Sequence, residues 1–380
     1  MTIVRARSAA PRGYVPHVNL NFSRRRGNLN ATPIHQKGPA RMTRRLSMTI
    51  CLLFCCCAAI FFFASCKGDE TPKAPAKRQV AVIPKGTTHE FWKTIHAGAV
   101  KAGQDYKVDI IWKGPLKEDD REEQIKVVEN FVNTGVNGIV LAPLDDTALV
   151  PVVQSAVDHQ IPVVIIDSDL KSDAYTSFCA TDNFKGGQMA GDELARILGD
   201  KDAQVLLLRY NEGSASTTNR EAGFLDAMSK HKNIKVIDNK QYAGATAESA
   251  QAKSENILAP LKKGDGALSI DGIFCPNESS TFGMLRALED GKFAGKVHFV
   301  GFDATPKLVD ALQSGEIEAL VSQDPFKMGY IGVKTMALAL RGEQIEKKID
   351  TGAKLITKAN LNDKDVQELI HPPLEKYLKD

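Results

Sequence analysis

The stretch Val80-Ala81-Val82-Ile83-Pro84-Lys85-Gly86-Thr87-Thr88-His89-Glu90-Phe91-Trp92 decides the fold. Its first four residues form a short apolar, largely β-branched run, and Pro84-Lys85-Gly86 breaks it. Thr87-Thr88-His89-Glu90 then offers a Thr-x-x-Glu capping box, in which hydroxyl and carboxylate would satisfy backbone N–H groups reciprocally. Ile95, Ala99 and Ala102 continue at helical spacing. Strand, tight polar turn and helix make the first βα unit of a parallel sheet, whose ligands sit beyond the carboxyl ends of the strands. Phe91 and Trp92 stand at that end. Trp92 is in line with Ile95 and Ala99 as a packing group, or one of the two rings forms a flat wall of a ligand cleft; the sequence leaves both open.

Outward from this unit the pattern repeats. Apolar runs at 80–84, 108–112, 138–143, 162–167 and 175–182 alternate with amphipathic helices. A second set follows at 204–209, 234–241, 272–276, 297–303 and 319–323. Ten strands in two groups predict an α/β chain of two similar lobes, each with a parallel sheet covered on both faces. No Gly-x-Gly-x-x-Gly follows the first strand and no phosphate-loop lysine is present, which argues against a dinucleotide or ATP site.

Charge and cysteines narrow the class. The 380 residues carry a formal net charge of +3, but residues 1–65 hold ten Lys/Arg and no Asp or Glu. The remainder has 39 basic and 46 acidic residues, a net of −7, so no nucleic-acid partner is expected. Residues 1–41 lack apolar periodicity and read as disordered, with Met42 as the natural start. Arg44-Arg45 and the apolar run 48–63 then read as a signal peptide over 42–65, since the run is too short to span a bilayer. Phe63-Ala64-Ser65-Cys66 resembles a lipobox, which makes Cys66 the expected lipidation site and anchor. Residues 66–77 read as a tether. Of the seven cysteines only Cys179 and Cys275 fall in the globular part, and whether they pair stays open. No metal is expected, because no Cys/His cluster has ligand spacing, and no cofactor.

The carboxyl ends of the strands are unusually polar. Ile166-Asp167-Ser168-Asp169 closes the fourth strand, Cys275-Pro276-Asn277-Glu278 the eighth, Gly301-Phe302-Asp303 the ninth and Ser322-Gln323-Asp324 the tenth. Arg220 opens a helix. One such residue is an ordinary cap or turn former; a row of them at one edge suits a sugar. Vicinal hydroxyls donate and accept, and so pair with carboxylate, amide and guanidinium groups, while ring C–H faces lie on aromatics. Each hydrogen bond to a charged group contributes about 1.5–3 kcal/mol. Several of them reach about micromolar affinity after the cost of immobilisation.

These segments carry a resemblance over residues 78–357. Pro162-Val163-Val164-Ile165-Ile166-Asp167, Thr181-Asp182-Asn183 with Gly186-Gly187, Arg220-Glu221-Ala222-Gly223-Phe224, Asn277 with Gly283 and Arg286, Val300-Gly301-Phe302-Asp303, and Gln323 resemble the ribose/galactose-type periplasmic sugar-binding proteins of ATP-driven importers. The resemblance implies the type I periplasmic binding fold: two Rossmann-like lobes, a three-crossover hinge near Asp182, Gln323-Asp324 and Asp350, and a cleft between the lobes. It divides the chain into a first lobe of 78–182 with 324–350 and a second of 183–323 with 351–380. It makes Asp167, Arg220, Asn277, Asp303 and Gln323 the hydroxyl-binding groups and Phe91 and Trp92 the stacking pair, with His89 beside them. Lys85, His89 and Ser168 depart from the usual pattern and turn the expectation from ribose towards a different or larger sugar; Trp112 is expected near the rim.

The implied protein is a monomeric, non-enzymatic, membrane-anchored lipoprotein of the periplasm or cell envelope that closes on a monosaccharide and presents it to a membrane permease. A lipoprotein receptor feeding a sensor kinase or chemoreceptor is the alternative output. A repressor of the lactose-repressor type needs a helix-turn-helix domain where the export signal stands. An exported glycosidase using Asp167 and Asp303 needs a carboxylate separation that sequence does not supply.

Overall fold

The computed structural model describes residues 77–238 and 240–378. The readings made for residues 1–76, including the signal peptide and Cys66, lie outside the described residues. All ten expected strands form. They are β1 (Gln79–Ile83), β2 (Asp109–Trp112), β3 (Gly138–Leu141), β4 (Val163–Ile166), β5 (Ser177–Ala180), β6 (Ala203–Leu207), β7 (Ile234–Ile237), β8 (Gly272–Phe274), β9 (His298–Phe302) and β10 (Ala319–Gln323). Two short strands, β11 (Lys348–Asp350) and β12 (Ala353–Thr357), were not expected: three and five residues of mixed polarity carry no apolar run.

One sheet has the order β11-β5-β4-β3-β1-β2 and the other β12-β10-β9-β8-β6-β7. Every pairing is parallel except β12 on β10. Both sheets are buried on two faces, and the period-2 alternation shows it. Ala81 and Ile83 enter one core cluster while Val80 and Val82 enter another across the sheet. Val205 and Leu207 separate from Leu206 and Leu208 in the same way. Full burial of each such aliphatic side chain contributes about 1.5–3 kcal/mol, which holds register, because a one-residue slip would exchange the faces.

Helices cover these faces: α1 (Glu90–Tyr106), α2 (Arg121–Thr134), α3 (Val150–Asp158), α4 (Asn183–Leu198), α5 (Ala215–Ser229), α6 (Ala247–Leu258), α7 (Glu278–Asp290), α8 (Pro306–Ser314), α9 (Pro325–Leu340), α10 (Lys364–Ile370) and α11 (Leu374–Tyr377). The chain passes from the first sheet to the second after β5, returns after β10, and passes again between β11 and β12. The glycines of the two matched motifs bring α4 and α5 together: a Cβ on Gly187 would lie 1.9 Å from the Arg220 carbonyl oxygen, and one on Gly223 would lie 1.9 Å from that of Phe184. Backbone contact this close fixes the first turns of α5, and with them Arg220.

The start of α1 differs from the expected capping box. Its N-cap is His89, without a side-chain cap, and Glu90 is already helical. The chain between Ile83 and His89 is held instead by Gln124, fully buried on α2. Its Nε2 donates to the carbonyls of Pro84 at 2.9 Å and Ala142 at 2.8 Å, and its Oε1 accepts from Leu144 N at 2.9 Å.

Candidate functional site

The carboxyl ends of the two sheets face one another, and the polar strand ends meet there. On the first-sheet side, Lys85 follows β1 and Asp167 follows β4; Lys85 Nζ lies 2.7 Å from Asp167 Oδ2, both side chains buried. The same ammonium donates at 3.0 Å to Ser216 Oγ on α5, joining the two layers. Ser168 Oγ accepts from Ser216 N at 3.0 Å beside it.

A second cluster surrounds Glu118. One oxygen accepts from Trp92 Nε1 and His89 Nδ1, each at 2.7 Å, and the other from the Tyr210 hydroxyl of the opposite layer at 2.6 Å. Burial alone would raise the Glu118 carboxyl, but the charges of His89 and Lys85 hold it down to about 2. Burial would likewise lower His89, and Glu118 lifts it to about 9. The pair is therefore ionised at neutral pH.

The opposite layer contributes Arg220, Asn277, Glu278 and Asp303. Arg220 is buried; its Nε donates to Asn183 Oδ1 at 2.8 Å and its Nη1 to the Pro276 carbonyl at 2.9 Å, while its plane lies 4.0 Å over the Phe302 ring. Among the described residues it makes no ion pair, and its Nη2 is buried without a hydrogen-bond partner. Asp303 Oδ1 accepts from Gln323 Nε2 and Oδ2 from Glu278 N, each at 2.9 Å. Gln323 Oε1 is buried and likewise without a partner. Burial raises the Asp303 carboxyl. Asp167 and Asp303 both have left-handed backbone, φ 62° and 69°, a conformation that costs a non-glycine residue energy and recurs at binding sites.

Glu278 supplies what the capping box does not. Its two oxygens accept from Phe91 N at 3.1 Å and Glu90 N at 3.4 Å, so α1 is capped by a carboxylate from the other layer. Burial, with Asp303 adding to it, pushes this carboxyl up to about 7.

Together these groups enclose a cavity of about 20 Å³, room for about one water. Lys85, His89, Phe91, Trp92, Asp167, Arg220, Asn277, Asp303 and Gln323 all line it, and Ser168 lies just behind. Two expected roles change. Trp92 is 2 % exposed and packed in the core, edge-on to Phe91 at 5.0 Å, with its indole N–H taken by Glu118. Asn277 is the N-cap of α7, its Oδ1 accepting from Ser280 N. Trp112 is not at the rim: it stacks on His96 at 4.4 Å. Cys179 and Cys275 are both free and buried. Sequence reasoning missed Glu118, Tyr210, Ser216, Thr217 and Glu278, which also line the cavity. Glu278, adjacent to Asn277 at a strand end, carried a usable signal; Glu118 and Tyr210 lie in loops without pattern.

Two α/β layers of one strand order, three connections between them and a polar cleft at their facing strand ends define a two-lobed binding protein of the type I periplasmic binding fold. The chain belongs to the periplasmic binding protein domain family, whose description matches residues 80–344. It is 31 % identical to the ribose import binding protein of Haemophilus influenzae, over 75 % of this chain and 93 % of that one. A solute-binding protein of an ABC transporter from Agrobacterium vitis, solved with D-fucose, superposes with a TM-score of 0.73 at 34 % identity, covering 77 % of this chain and all of the other. A carbohydrate-transporter solute-binding protein from Agrobacterium radiobacter, solved with D-arabinose, gives 0.73 and 34 % over 78 % of this chain. The chain is a binding protein and not an enzyme.

Proposed function

We propose that this chain is the sugar-binding component of an ABC-type importer, that it takes a monosaccharide between its lobes by hinge closure, and that Cys66 anchors it to the membrane. One observation carries the reading: Arg220 Nη2 and Gln323 Oε1 are a buried donor and a buried acceptor without partners in the wall of one cavity. A sugar hydroxyl satisfies both kinds of group, and leaving such groups unpaired costs about 1–3 kcal/mol each. The family's periplasmic setting and the sugars named for its relatives agree with this.

In this mechanism the lobes are 78–182 with 324–350 and 183–323 with 351–380, turning about their three connections. A cavity of about 20 Å³ admits no sugar as it stands, so entry requires the lobes to part. On closure Asp167, Lys85 and His89 approach the ligand from one lobe and Arg220 and Asp303 from the other, with Asn277 in the wall as the cap of α7, Gln323 at the hinge and Phe91 against a ring face. Sugar shifts the open–closed equilibrium because only the closed form bonds it from both sides. The test is a thermal-shift screen of the mature protein against pentoses, hexoses, deoxysugars and sugar acids. A selective, concentration-dependent rise supports the reading; no rise with any sugar overturns it.

A further inference from the structure

Two buried titratable groups of the cavity wall, Glu118 and Tyr210, take no part in the hinge mechanism above. Glu118 lies in the loop between β2 and α2 of the first lobe, and Tyr210 in the loop between β6 and α5 of the second. The Tyr210 hydroxyl donates to Glu118 Oε2 at 2.6 Å. This bond joins lobe to lobe and needs no ligand atom.

Each end is fixed by its own lobe. Trp92 Nε1 and His89 Nδ1 hold the other Glu118 oxygen, each at 2.7 Å. Gly86 admits the side chain, since a Cβ there would lie 2.9 Å from Glu118 Cγ. On the other side, Tyr210 N donates to Glu221 Oε1 at 3.1 Å, and the Tyr210 carbonyl accepts from Gly244 N at 3.1 Å. Arg209 pairs with Glu221 in turn, at 2.6 Å. Donor and acceptor are therefore oriented before the lobes meet, so little side-chain freedom is lost when they do. The charge of His89 keeps Glu118 ionised, which makes the bond charge-assisted, and its short length agrees.

We infer that the Glu118–Tyr210 bond is a ligand-independent latch of the closed form, and that Tyr210 is a positioning residue rather than a sugar contact. The inference rests on the sugar-binding reading above and says where part of the affinity arises. Closure forms this bond whichever sugar is present, so it multiplies every affinity by one factor. Arg220 and Asp303, by contrast, bond hydroxyls and set the ratio between sugars. Opening has to break the latch, so its contribution lies in koff.

The experiment is calorimetry and stopped-flow tryptophan fluorescence of wild type and Tyr210→Phe with D-ribose, D-allose, D-galactose, D-fucose and D-arabinose. Trp92, one of two tryptophans, reports closure through its own bond to Glu118. Tyr210→Phe keeps the ring and its packing. It is expected to weaken every sugar that wild type binds by about tenfold, the factors agreeing within about twofold. The loss is expected in koff, with kon nearly unchanged. Glu118→Gln, in which a neutral bond replaces the charged one, is expected to give a smaller uniform loss of about threefold. That variant decides the matter if Tyr210→Phe departs from wild type in far-ultraviolet circular dichroism. Factors that diverge beyond about twofold between sugars, a loss carried by kon, or an unchanged affinity overturns the latch and leaves the sugar-binding reading standing. Wild type binding none of these sugars removes both.

Discussion

The two lobes repeat one strand order, and each ends its fourth strand in an aspartate with left-handed backbone, Asp167 after β4 and Asp303 after β9. Their surroundings differ. Asp167 is neutralised by Lys85 from the same lobe, whereas Asp303 receives only neutral donors, from Gln323 and Glu278 N, and faces Arg220 without an ion pair to it among the described residues. The duplicated backbone sets where a carboxylate stands. The side chains from neighbouring strand ends decide whether it is already satisfied. The first lobe presents a face whose charges are paired before any ligand arrives, and the second a face that needs a polar partner. On the proposed function, stability should therefore reside more in the first, and affinity in the second.

The largest expected effect breaks the paired face. Lys85→Met leaves Asp167 buried and unpaired, and urea unfolding should show a loss of about 3–5 kcal/mol. An unchanged midpoint would remove the distinction between the lobes. On the other face, Arg220→Ala should weaken sugar binding about 100-fold, because a charged donor is lost, while far-ultraviolet circular dichroism and the sugar-free unfolding midpoint shift much less. Equal losses of stability in the two variants would contradict the comparison.

A smaller effect belongs to closure itself. Gly213, at φ +87° in the loop before α5, accepts from Asp146 N at 2.9 Å, and a Cβ there would lie 2.3 Å from Asp145 Oδ2. Gly213→Val should hold the lobes apart and reduce affinity about tenfold. Small-angle scattering with saturating sugar should show the radius failing to contract.

The smallest effect is on pH. Glu278 rises from its ordinary 4.5 to about 7 when buried between the lobes. In the proposed hinge mechanism closure is therefore most favourable below about pH 4.5, and this contribution is lost as pH rises through about 7. His89, raised to about 9 from 6.5 by Glu118 of its own lobe, bears on folding rather than closure, its contribution being present below about pH 6.5 and lost as pH rises through about 9. Wild-type affinity should fall between about pH 5 and 6.5, and Glu278→Gln, which still accepts from Phe91 N, should flatten that fall. Calorimetry at both pH values checks it; identical slopes would show that Glu278 does not ionise with closure.

Much of this was legible along the chain. Strand runs, helix spacing and the polar residues at strand ends are local, because burial on two faces demands apolar runs and the carboxyl edge is where polar residues are tolerated. Asp167, Asn277, Asp303 and Gln323 could be named from that edge, Arg220 from a helix start, and Lys85 only through the resemblance. Partnerships could not. That Glu278 caps a helix 188 residues earlier, that Tyr210 completes the shell of Glu118, that Trp92 spends its N–H on that carboxylate and that Asn277 is occupied as a cap depend on which strand ends face each other. The sequence by itself determined two α/β layers and a polar edge, since both follow from periodicity. Only the tertiary structure decided which charges are paired and which donors wait for a ligand, since a buried group's state depends on neighbours brought from distant segments by closure of the fold.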